Sequence, residues 1–185
     1  MLIAALVIGV LIVLVVGVLV VGYNNLVRGR NRVDEGWSQI DVQLKRRYDL
    51  IGNLVETVKG YASNEKETLE KVTQARNMAI QAGTVKEQAQ AENMLTGALK
   101  SLFAVSEAYP NLKANENFMQ LQEELTGTEN RIGFARQHYN DVARIYNNRV
   151  QMVPTNIVAG MFGFQGRDYF ELEEAEAREA PKVKF

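Results

Sequence analysis

Apolar positions in this chain follow three regimes. From Met1 to Gly22 they are continuous, with no charged or strongly polar side chain. From Asn24 they become periodic at steps of three and four, the signature of helices with one buried stripe. After Pro154 they bunch into a short glycine-bearing run, Ile157-Val158-Ala159-Gly160-Met161-Phe162-Gly163-Phe164, and then give way to an acidic, alanine-rich end.

The first regime predicts a transmembrane helix. At ~1.5 Å rise per residue it spans roughly 33 Å, enough to cross the hydrocarbon core of a bilayer. A cleaved secretory signal would carry a basic start, a shorter apolar core and a small-residue cleavage site. Here Leu2 and Ile3 follow Met1 directly, and Tyr23-Asn24-Asn25 is no cleavage pattern, so the expectation is an uncleaved signal-anchor over 1–23. With no cysteine, a lipoprotein anchor is excluded. Arg28, Arg30 and Arg32 flank the run on its C-terminal side, and the positive-inside rule then puts the N-terminus outside and residues 24–185 in the cytoplasm. Within the span Ala5, Gly9 and Gly17 share one ridge at i+4 spacing, which permits close approach of another helix.

The second regime predicts four helices. The first runs from about Asn24 to Lys59, with Val33, Trp37, Ile40, Leu44, Tyr48, Ile51, Val55 and Val58 on one face and Gly60 as its stop. Asn64 with Glu67 reads as a capping box for a second helix over 65–82, with Leu69, Val72 and Ala79 inward. Gly83 then marks a turn, and Thr84 with Glu87 makes another capping box for a third helix over 85–109, with Leu95, Leu99, Leu102 and Val105 inward and Pro110 closing it. The fourth, about 116–152, is the most regular: Phe118, Leu121, Leu125, Thr128, Ile132, Ala135, Tyr139, Val142, Tyr146, Val150 and Val153 keep a near-perfect heptad. Such a seam implies coiled-coil packing against a long neighbour. The expected architecture is all-α: a transmembrane helix continuing into a long antiparallel bundle of three to four helices over 24–153. An apolar membrane-proximal or interface segment follows at 154–167, then an acidic tail at 168–185. In that topology Ile157, Val158, Met161, Phe162 and Phe164 lie near the membrane surface, against a neighbouring subunit, or folded over the end of the bundle.

Composition narrows the function classes. Formal net charge is -1, so no basic field calls for nucleic acid. Only three prolines interrupt the chain, which suits a nearly all-helical domain. Candidate chemistry is scarce. His138 is the sole histidine and Ala135 stands three residues before it, so no Glu-x-x-His pair exists for a di-iron bundle. Zinc ligands, a cysteine nucleophile, a nucleophile elbow and a phosphate loop are all missing. No catalytic, cofactor or metal residue is assigned, and His138 reads as a partly exposed structural side chain. Glu116, Glu123, Glu124, Glu129 and Asp141 read as a solvated face or as interhelical ion pairs. Lys45, Arg46 and Arg47, some 25 Å along the helix from Arg28, are too far for lipid and are expected to meet acidic groups of the fourth helix or a partner. Gln39, Asp41, Gln43, Asn53, Gln122, Asn130, Asn140 and Asn147 stud the long helices, where a buried amide could set register.

Two stretches carry a family resemblance. One is the run from Asn31-Arg32-Val33-Asp34-Glu35-Gly36-Trp37 through Leu44-Lys45-Arg46-Arg47-Tyr48 to Val55. The other begins at Leu121-Gln122-Glu123-Glu124-Leu125 and continues through Tyr139-Asn140-Asp141, Tyr146-Asn147 and Pro154 to Ala159-Gly160-Met161-Phe162-Gly163-Phe164. Together with the anchor they resemble the LemA family of bacterial membrane proteins. Three positions depart from its pattern: Gly36 where alanine is usual, Gly52 where proline is frequent, and Val153 where an aromatic commonly precedes Pro154. Two glycines inside a long helix cost roughly 1 kcal/mol each against alanine and point to a bend or a close contact. The resemblance implies one N-terminal transmembrane helix carrying a helical bundle, and no established catalytic activity, cofactor or substrate. The function expected is a non-enzymatic, membrane-anchored scaffold that self-assembles as a homo-oligomer at the cytoplasmic face of the bacterial inner membrane. The alternative is an adaptor or regulator of a membrane-protein partner such as a membrane protease or signalling receptor.

Overall fold

The structure is a computed structural model, and it describes residues 2–171. Among these residues every regular element is a helix: α1 (Leu2–Tyr61), α2 (Lys66–Gln81), α3 (Val85–Glu107), α4 (Pro110–Lys113), α5 (Glu116–Gln151) and α6 (Thr155–Phe162). The expected acidic tail falls largely outside the described residues. Two compact units divide the chain, residues 2–40 with 134–168 and residues 41–133 with 169–171, and α1 and α5 contribute a segment to each.

In the first unit α1 and α5 run antiparallel. Asn25 accepts from Arg149 on its carbonyl, Gly29 faces Tyr146, and Gly36 faces Val142 and Tyr139, so numbers rise on one helix as they fall on the other. The approach is close. A Cβ added at Gly36 would sit 3.4 Å from the Tyr139 backbone, and one at Gly29 would sit 3.0 Å from the Tyr146 ring. Gly36 is therefore explained by contact rather than by a bend. Leu26, Val33, Ile40, Tyr139, Ala143 and Tyr146 fill the seam, and Trp37 meets Tyr139 edge to face at 5.4 Å.

In the second unit α2 and α3 form an antiparallel hairpin. The predicted Thr84–Glu87 capping box is present: the Glu87 amide donates to Thr84 Oγ1, while Glu87 Oε2 accepts from the Gly83 and Thr84 amides. The inward residues expected on α2, Leu69, Val72 and Ala79, are buried, as are Leu95, Leu99 and Leu102 on α3. Gly52 is not a tight contact: α1 continues through it, and a Cβ added there would lie 3.7 Å from Arg76, an ordinary van der Waals distance.

Several boundaries differ from expectation. Gly60 does not stop α1, which continues to Tyr61 and buries Ala62 just beyond. Asn64 does not cap α2: the helix starts one residue later, with Glu65 at the cap position and no side-chain cap bond, and Glu67 pairs forward with Lys71 at 2.6 Å. Pro110 follows the end of α3 and also opens the one-turn α4, where its fixed φ suits a first helical position. Val153, placed on the buried seam by the heptad, lies past the end of α5 and is 76% exposed.

Candidate functional site

Two constellations stand out, one in each unit. The first collects at the end of the apolar run. Leu19 is the first half-buried position of α1 and Gly22 the first buried one; residues 2–18 are exposed throughout. What covers Gly22 is α6. A Cβ there would lie 3.0 Å from the Val158 side chain and 3.9 Å from that of Thr155. Tyr23 stacks edge-on with Phe162 at 4.9 Å and with Phe164 at 5.6 Å. Arg30 lies over the Phe164 ring, 5.5 Å from its centroid. Thr155 caps the turn by donating from its hydroxyl to the carbonyl of Arg149 at 2.6 Å.

The sequence-predicted residues separate into two groups here. Val158 is buried against α1, Phe164 is half-buried, and Ile157, Met161 and Phe162 remain exposed. Of the basic residues, Arg28 donates to Asn25 Oδ1 at 2.7 Å, Arg30 holds Phe164, and Arg32 is exposed. His138 is exposed on α5. Beyond α6 the chain is strapped back to the same unit. Asn147, one of the amides singled out from sequence, donates to the Arg167 carbonyl at 2.8 Å and accepts from the Arg167 amide at 2.7 Å. Tyr139 donates its hydroxyl to the Asp168 carbonyl at 2.8 Å, and Arg167 reaches Asp34 at 3.0 Å.

The second constellation is a buried polar cluster. Arg47, 4% exposed, donates to Glu92 at 2.7 Å, to Glu129 at 3.0 Å and to Thr96 at 3.1 Å. The Tyr48 hydroxyl donates to Glu92, and Gln88 donates to the Tyr48 oxygen at 2.7 Å and to Glu92 at 3.2 Å. Arg46 meets Glu124 at 3.5 Å on the exposed rim. The expectation that Lys45, Arg46 and Arg47 meet acidic groups of the fourth helix holds for Arg46 and Arg47, while Lys45 stays exposed and Glu92 on α3 was not foreseen. The signal was present: stepping back by three and four from Leu95 along the α3 stripe lands on Glu92 and Gln88. Burial pushes the Glu92 carboxyl up from its ordinary range, opposed by the Arg47 charge. Burial, then the Glu92 charge, pushes the Tyr48 hydroxyl far above its own. A cleft of about 260 Å³ opens beside the cluster, lined by Thr96, Leu99, Phe103, Leu125 and Asn130 among others. Among the described residues no group of three or more histidine, aspartate or glutamate side chains is arranged to hold a metal.

Comparison with known proteins gives a single consistent picture. The LemA family model matches residues 36–185. Protein LemA of Metamycoplasma hominis is 29% identical over 157 residues, 83% of this chain and 70% of that protein. Magnetosome protein MamQ 2 of Paramagnetospirillum magneticum is 27% identical over 89% of this chain and 70% of its own length. Magnetosome protein MamQ of Magnetospirillum gryphiswaldense is 25% identical over 85% and 67% respectively.

Proposed function

The chain belongs to the LemA family, and from that premise we propose that it is a non-enzymatic helical scaffold, anchored in the membrane by α1 and self-assembling at the cytoplasmic face. The continuity of α1 carries the reading. One unbroken helix is apolar and exposed over residues 2–18, then supplies Leu26, Val33 and Ile40 to the core of the first unit and Leu44, Ile51 and Leu54 to that of the second. Exposed apolar surface on that scale is unfavourable in water at roughly 25 cal/mol per Å², and a bilayer removes the penalty. Arg28, Arg30 and Arg32 directly after it support an outside N-terminus. Phe134 (74% exposed) and Ile145 (44%) on α5 leave apolar side chains for a neighbouring copy.

The test is the mass of the full-length protein in lipid nanodiscs, compared with a shortened chain starting at Arg28. A homogeneous assembly that loses subunits without the anchor is expected. A monomer in both forms would overturn self-assembly, and co-purification with one stoichiometric membrane protein would replace it with the adaptor role.

A further inference from the structure

The apolar surface of α6 has two sides. Val158 and Phe162, one turn apart, face α1 at Gly22 and Tyr23. Ile157 and Met161, also one turn apart, face away and are 59% and 63% exposed, and Met152 and Val153 just before the helix are exposed too. So many large exposed apolar side chains in one short stretch mark an interaction surface.

Its position says what it meets. Thr155 and Val158 reach α1 at Gly22 and Phe162 reaches it at Tyr23. A helix lying along α1 would advance about 10 Å, some seven residues, over that stretch. The contacts therefore lay α6 across α1, level with the last turn of the apolar run. Leu19, where α1 begins to be covered, is only roughly 4.5 Å of axis from Gly22, so α6 sits at the border between the exposed apolar run and the packed part of its unit.

Charge separates lipid from a second copy of the chain. Between Met1 and Val33 there are three arginines and no acidic residue; across from them Arg149 reaches the Asn25 carbonyl, whereas Arg144 and Arg167 are paired with Asp141 and Asp34. A second copy would bring the same positive charge to the interface. Anionic headgroups would complement it.

We infer that α6 is a second membrane contact, an in-plane foot whose outer face, Ile157 and Met161 with Met152 and Val153, inserts into the surface of an anionic bilayer while Arg30 and Arg149 remain at the headgroups. The inference rests on α1 being the membrane anchor. The chain has no cysteine, so single spin labels at Ile157→Cys, Met161→Cys and Val10→Cys can be read in the full chain, reconstituted in phosphatidylethanolamine–phosphatidylglycerol vesicles. Both α6 labels are expected to collide with oxygen several-fold more than with a water-soluble nickel chelate, as a label at Val10 does. Free access of nickel at Met161 would overturn the inference, and so would protection from both reagents, which would mean a protein neighbour. Lipid exposure at Val10 with water exposure at Met161 defeats the foot alone; nickel access at Val10 defeats the anchor as well.

Discussion

Arg47 depends on its carboxylate partners more than any exposed ion pair on these helices. Buried and shared between Glu92 and Glu129, it keeps only the half-exposed Glu129 in Glu92→Leu, and losing the buried partner of such a charge costs up to roughly 3–5 kcal/mol. The pair itself need not be stabilising, because both ions gave up water to form it. Adding Arg47→Met to Glu92→Leu should therefore recover most of the loss, measured by denaturant unfolding of all four combinations; a double variant no more stable than Glu92→Leu alone would show that the pair is worth its desolvation. The Tyr48 hydroxyl gives a separate handle. Its folded-state pKa is raised, so its contribution is complete below the unfolded value of about 10 and is lost as pH climbs beyond it. Tyr48→Phe should make the alkaline decline of stability shallower by up to about 1.4 kcal/mol per pH unit. An unchanged slope would place the alkaline sensitivity elsewhere. Half of this cluster was legible: three adjacent basic residues midway along a helix, too far from the membrane for lipid, pointed to acidic neighbours. Glu92 was hidden because a carboxylate on an apolar stripe is ordinarily read as the end of the stripe.

At the scale of elements, Gly22, Gly29 and Gly36 stand seven residues apart on α1, each where α5 or α6 comes closest. Spacing by sevens keeps them on one stripe of a helix, so the row sets how near the neighbours can lie. Gly36 alone was noticeable in the sequence, as a departure from alanine; the row was not, because a glycine reads as a helix-breaker until the partner that needs its missing Cβ is known. Gly29→Leu should drive a branched side chain into the Tyr146 ring and cost roughly 1–3 kcal/mol. Gly97, with open space around it on α3, provides the control: Gly97→Ala should stabilise by roughly 0.5–1 kcal/mol through helix propensity alone. Thermal melts in one detergent compare the two. A neutral Gly29→Leu would mean that α1 and α5 can part without loss. The Thr84–Glu87 turn was fully legible because capping is local, with each partner named by its spacing. Asn64 was misread for want of the same local pairing: Glu67 bonds Lys71 four residues on, and the cap position falls at Glu65.

For the whole molecule, the informative quantity is how charge is distributed, since the net value of -1 conceals it. No acidic residue precedes Asp34, and Arg28, Arg30 and Arg32 stand alone beside the apolar run. Architecture was readable from these patterns at once, because hydrophobic continuity and heptad spacing are long-range signals that tolerate local error. Activity was not, because neither the buried cluster nor the α6 surface contains a chemically reactive constellation that a motif could announce. The same charge distribution makes topology a matter of a few side chains. Short flanking segments obey the lysine and arginine bias, so replacing Arg28, Arg30 and Arg32 with glutamine and placing two lysines after Met1 should turn the protein around. Protease added to spheroplasts should then digest the helical units in the altered chain and spare them in the natural one. Digestion of both would show that the bundle lies outside the membrane from the start; protection of both would mean that the packed helices, rather than the arginines, hold the orientation.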